Sequence, residues 1–121
     1  MSEIKDKFIG VYEIRAGRDV YGNECKIRRY IHDRNRLHAY VRELSEREKF
    51  AAKAAGSEQS TVFKVNYNAR IKAGLYLEFR GDTFVIKSVD GFEYYMRDLT
   101  LRAERCKPEP TDHEEYDGDT V

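Results

Sequence analysis

The sequence predicts a mainly β protein: a small antiparallel β-barrel or sandwich of about six to seven strands, with one inserted short helix at about residues 45–55 and a disordered acidic tail. Three observations carry this. Short runs rich in Val, Ile, Phe and Tyr alternate apolar with polar residues, the period of a strand with one buried face. Gly, Asn and Asp punctuate those runs at the regular spacing of all-β domains. A single stretch, Ser45 to Gly56, breaks the pattern with helix-forming residues. The length, 121 residues, suits one domain, residues 1–107, followed by a flexible tail, residues 108–121.

The first strand is Phe8-Ile9-Gly10-Val11-Tyr12-Glu13-Ile14, dominated by β-branched and aromatic residues. Ala16 to Glu24, with Gly17, Gly22 and Asn23, reads as a loop. A hairpin from Lys26 to Arg42 comes next. In its first arm Ile27, Arg29 and Ile31 share one face, and Lys26, Arg28, Tyr30 and His32 share the other. After a polar turn at Asp33-Arg34-Asn35, Leu37, Ala39 and Val41 face one way, and Arg36, His38, Tyr40 and Arg42 the other.

Ser45-Glu46-Arg47-Glu48 is a capping box: the Ser45 oxygen accepts from the Glu48 amide, and the Glu48 carboxylate reaches back to the Ser45 amide. The alanines after Phe50 continue the helix and Gly56 closes it. Phe50 is its one large apolar residue, so burial anchors it weakly and it is the element easiest to detach. Strands resume with Phe63, Val65 and Tyr67 on one face, then Leu75, Leu77 and Phe79. Arg80-Gly81-Asp82 makes a tight turn into Thr83 to Val89, which explains this triplet without any role in cell adhesion. A second turn at Asp90-Gly91 leads to the last strand, Tyr95 to Ala103.

Net charge is zero, from 22 basic and 22 acidic residues, but it is unevenly placed. Pro108 to Val121 carries Glu109, Asp112, Glu114, Glu115, Asp117 and Asp119 and no Lys or Arg, leaving +6 on residues 1–107. Mean hydropathy is -0.77. No apolar run approaches the roughly 20 residues of a membrane-spanning helix, so no membrane partner is expected. The first residues lack the apolar core of a signal peptide. Cys25 and Cys106 form no C-x-x-C and read as free thiols of a reducing cytoplasm. Cys25, His32 and His38 match no zinc-ligand spacing.

Nucleophile elbow, Walker loop and dinucleotide fingerprint are all missing, so neither catalysis nor a cofactor is expected. The one concentration of chemistry is the stretch Lys26 to Arg42, with a local charge of +5. Lys26, Arg28, Arg36 and Arg42 interleave there with Tyr30, Tyr40 and His38 on the face read as outward. Cations among aromatic rings on a strand platform suit phosphate neutralisation and base stacking, or contact with an acidic protein.

Taken in order, several segments resemble one family. They are Asp19-Val20-Tyr21-Gly22, Leu37 to Glu48, Phe63-Lys64-Val65-Asn66-Tyr67, Ile71, Leu77 to Val89 and Leu99-Thr100-Leu101. The family is the head–tail joining, or head-closure (stopper), proteins of long-tailed bacteriophages and prophages. His38 stands where members often have Trp, and Asn66 where they often have Arg. The resemblance implies a virion protein that is monomeric when isolated and assembles in the host cytoplasm as a dodecameric ring. That ring would lie beneath the portal and its adaptor ring, retain packaged double-stranded DNA, and dock a tail-terminator or tail-completion protein. It also implies that Glu43 to Ser60 rearranges on assembly, which makes Ser45, Glu48, Phe50, Gly56, Ser57, Glu58, Gln59 and Ser60 the candidate gating segment. The alternative from another class is a small β-barrel that binds single-stranded nucleic acid.

Overall fold

The computed structural model describes residues 5–43, 60–91 and 98–117. Among them the chain forms eight strands: β1 (Lys7–Arg18), β2 (Glu24–Tyr30), β3 (Leu37–Glu43), β4 (Ser60–Asn66), β5 (Tyr76–Phe79), β6 (Asp82–Gly91), β7 (Asp98–Cys106) and β8 (His113–Glu115). Six close into an antiparallel barrel in the order β1-β5-β6-β7-β4-β3, and Lys7 to Ile9 of β1 pair with Leu37 to Ala39 of β3 to shut it. The mainly β barrel expected from the alternation is therefore present, with β2 and β8 added outside it. The capping box and helix at 45–55 lie outside the described residues.

Period-two alternation decides what fills the barrel. Ile9, Val11, Ala39, Phe63, Val65, Leu77, Phe84, Ile86, Leu101 and Ala103 are all buried in one cluster, with Leu37, Val41 and Phe79 packed at its margin. The Phe63 ring meets Phe79 and Phe84 edge-on, at 5.7 and 5.3 Å between centroids, the preferred aromatic geometry. Arg80 and Gly81, both at positive φ, make the two-residue turn between β5 and β6 as expected.

Three expectations are corrected. β2 and β3 do not form a hairpin with each other. They lie end to end along one edge of β1, β2 on Tyr12 to Arg18 and β3 on Lys7 to Ile9. At twelve residues β1 is long enough to serve both. The segment between them bulges out, with Ile31 N–H donating to Val11 O and Asp33 capping the Asn35 amide.

The Asp90-Gly91 turn is also absent, because β6 continues through both residues, opposite Thr100 and Leu99 of β7. Gly91 is there for clearance: a Cβ would come 3.1 Å from Leu99 Cδ2. Finally, the acidic tail is not free through residue 117, since β8 pairs in parallel with β2. Its carboxylates find their counter-charges on that strand.

Candidate functional site

Beyond Tyr12, β1 leaves the barrel with β2 as a two-stranded ribbon, and β8 adds a third strand to the far edge of β2. The ribbon ends in a tight turn, Asp19 to Asn23, where Asp19 Oδ1 accepts from the Tyr21 and Asn23 amides at 2.8 and 2.9 Å. Those bonds, the Asn23 amide foremost, hold the Asp19 carboxyl below its ordinary pKa. The turn presents Val20 and Tyr21 almost wholly to solvent, 94% and 86% exposed.

Where the ribbon meets the barrel, a second layer of side chains covers β1 from outside. Gly10 makes room for it, because a Cβ there would sit 3.1 Å from Tyr30 Cε1. Tyr12 is fully buried, stacked on Tyr76 at 5.4 Å, with the Arg28 guanidinium 4.4 Å from its ring centroid. Glu78 of β5 is the polar hub: it accepts from Arg28 Nη1 at 2.8 Å and from the Tyr30 hydroxyl. Burial, then the Glu78 bond, pushes the Tyr30 pKa well above its ordinary value, and burial raises that of Tyr12. His32 is buried at the end of β2. Its Nε2 accepts from Val11 N–H at 3.0 Å, so Nδ1 carries the proton and donates to Asp33 O at 2.6 Å. Burial pushes the His32 pKa down.

Residues 108–117 lie over this layer as a strap. Backbone pairing sets Ile27 against His113, Arg28 against Glu114 and Arg29 against Glu115. Asp112 clasps the Lys26 backbone from both sides: its N–H donates to Lys26 O at 2.9 Å, and its Oδ2 accepts from the Lys26 amide at 2.8 Å. Charge pairs follow the register. Lys26 meets Glu109, Arg29 meets Glu115 at 3.0 Å, Arg28 approaches Glu114 at 4.0 Å, and Arg70 meets Asp117. The Glu109 bond raises the Lys26 pKa, and the Arg70 bond lowers that of Asp117. The Tyr116 ring stacks flat on Tyr30, 4.5 Å apart with an interplanar angle of 4°, and Arg34 lies 5.3 Å from the Tyr116 centroid.

The candidate contact residues are thereby split. Lys26, Arg28 and Tyr30 are engaged by the strap or by Glu78, and Tyr30, read as outward, is buried. The other half sits in the bulge and on β3: Arg36 at φ 60°, His38 exposed and edge-on to Phe8 at 4.6 Å, Tyr40 half-buried and Arg42 exposed. Of the candidate gating residues only Ser60 is described, opening β4 opposite Glu104; Ser45, Glu48, Phe50, Gly56, Ser57, Glu58 and Gln59 lie outside the described residues. Sequence reasoning missed Glu78, Arg70, Tyr116 and Tyr12. One signal was present: an acidic run without Lys or Arg holding a lone tyrosine, in a chain whose excess Lys and Arg cluster elsewhere.

A model of the family described as phage head completion protein matches residues 7–105, from the start of β1 almost to the end of β7. The chain belongs to the phage head completion protein family. Its role is accordingly that of a structural head-closure protein at the head–tail interface of the virion. Among solved structures it is similar to protein SF1141 from Shigella flexneri 2a, determined in solution. Identity is 15% and the TM-score 0.66, over 88% of this chain and 97% of that one, a likeness of fold. No curated protein matches this chain. The matched family span stops before β8, so the strap lies outside it.

Proposed function

We propose that this protein closes DNA-filled heads by forming a ring beneath the portal and its adaptor, and that the ring retains the DNA and gives the tail its docking surface. The observation that carries this reading is the family match over the barrel and ribbon strands. The architecture supports it. A closed barrel has no free edges of its own and makes a rigid frame. The stretch between β3 and β4 leaves and re-enters at one rim, where Glu43 pairs with Thr61. Arg36, His38, Tyr40 and Arg42, on and beside β3, are the residues we assign to contact with DNA or an acidic ring partner. A stacking platform for single strands is poorly served by the ribbon, because Tyr116 already covers Tyr30.

The test is retention. Purified protein added to DNA-filled heads made without it should render their DNA resistant to nuclease. DNA that stays fully accessible after the protein has bound the heads would overturn the reading.

A further inference from the structure

The strap is built to leave its own barrel. Among the described residues its hydrogen bonds and ion pairs run to Lys26, Arg28, Arg29, His32 and Arg70, on β2 or beside its end, and none of these runs to β7, the strand from which it departs. The connection Lys107 to Thr111 holds Pro108 and Pro110 and is largely exposed. A cleft of about 640 Å³ opens between it and the ribbon, lined by Ala16, Gly17, Arg18, Cys25, Lys26 and Pro110. The connection touches the ribbon through Glu109 on Lys26 and otherwise spans this cleft. Two prolines within three residues favour an extended chain, which helps a segment reach away from its own body.

We propose that in the assembled ring each strap seats on the β2 edge of the neighbouring copy. The proposal rests on the ring formation put forward above. The outer edge of β2 is the one that the strap covers; lifted from it, the strap would leave an open strand edge, and an open edge recruits another strand. What it recruits is specified by charge: an acidic extended segment with a tyrosine to cover Tyr30, which every copy carries in 109–117. The same bonds form within a chain or between chains, so exchange sacrifices none of them and any further contact between barrels tips the balance. A ring also suits a one-way exchange, because each copy gives one strap and receives one, leaving no β2 edge bare. The six residue steps from Cys106 to Asp112 reach at most about 22 Å, so the neighbour's Lys26 must lie within about that distance of Cys106. The family span ends at Arg105, so the exchange would be this chain's own addition to the shared barrel.

Arg29 and Glu115 are register partners, so R29C with E115C reports the pairing as a disulfide. Cys25 and Cys106 are replaced by Ala, and equal amounts of ordinary and ¹⁵N-labelled full-length protein are mixed. Oxidised glutathione then forms the bond, in the isolated protein and in assembled particles, and the linked peptides are weighed. The isolated protein should give pairs of one isotope only. Particles should give mixed pairs, about half of the total for random order around a ring. Single-isotope pairs in particles that do contain rings would overturn the exchange and leave the ring standing. Failure of the protein to enter particles as a ring would overturn the reading beneath it. A link that forms in the isolated protein but not in particles would mean that a different acidic segment takes the edge. I27C with H113C, the next register pair but one, repeats the measurement if the first variant does not fold.

Discussion

The barrel and the ribbon are made of the same kind of strand and are held by different forces. In the barrel, β-branched and aromatic side chains from six strands converge on Phe63, and no described charge enters that cluster. On the ribbon the inner layer is Tyr12, Arg28, Tyr30, His32 and Glu78, and the outer layer is a strap of carboxylates. Burial of apolar area is insensitive to salt and to pH near neutrality. Exposed charge pairs are screened by salt, and each contributes little alone. The comparison teaches that one chain builds a body held by apolar burial and a margin held by backbone pairing and charge.

The largest effect should come from the barrel. Phe63→Ala removes the ring shared by Phe79 and Phe84 and should cost about 3–5 kcal/mol, read as a lowered melting midpoint by circular dichroism. A loss under about 1 kcal/mol would mean that the core lies elsewhere. Next is Glu78→Gln, which keeps shape and removes the charge facing Arg28 and Tyr30. A hydrogen-bonded charge of this kind is worth roughly 1.5–3 kcal/mol, and the midpoint should fall accordingly. The ultraviolet titration of Tyr30 should also move down, because burial and the Glu78 bond together hold its pKa up.

His32 sharpens the comparison through pH. Its folded pKa lies below the unfolded value of about 6.5, so the unfolded chain binds more protons. The His32 contribution is complete above pH 6.5 and is lost as pH falls below it, at no more than about 1.4 kcal/mol per unit for one proton. Denaturant melts from pH 8 to pH 5 should show that decline in the parent and a smaller one in His32→Gln, whose carbonyl can still accept from Val11. Equal declines would remove His32 from the account. The smallest effect belongs to the strap. Tyr116→Ala loses one stacked pair, about 1 kcal/mol. The barrel melt should barely change, while hydrogen exchange at Ile27 to Arg29 quickens; unchanged exchange would mean that Tyr116 does not hold the strap.

Legibility in the sequence follows the same division. Faces that alternate against one core were readable one strand at a time: Leu37, Ala39 and Val41, then Phe63 and Val65, then Leu77 and Phe79, with Arg80-Gly81 as the turn between neighbours. Period two also placed Arg28, Tyr30 and His32 together on one face of β2. It could not tell that this face is covered, because the covering groups are 48 residues from Tyr30 at Glu78 and farther still in the strap, at Glu114 and Tyr116. The assumption that β2 and β3 pair with each other failed for a related reason. Adjacent alternating runs look like a hairpin, and only the length of β1 shows that it can take both on one edge. Gly91 misled because glycine marks a close approach as readily as a turn. The family resemblance, which rested on order and spacing across the whole body, was legible without any of these contacts.

Electron microscopy of a lysate in which this gene alone is disrupted tests head closure most directly. The account predicts free tails beside tailless heads that have lost their DNA, with normal particles restored by the gene supplied in trans. Intact, tailed, DNA-filled particles from the disrupted lysate would contradict it.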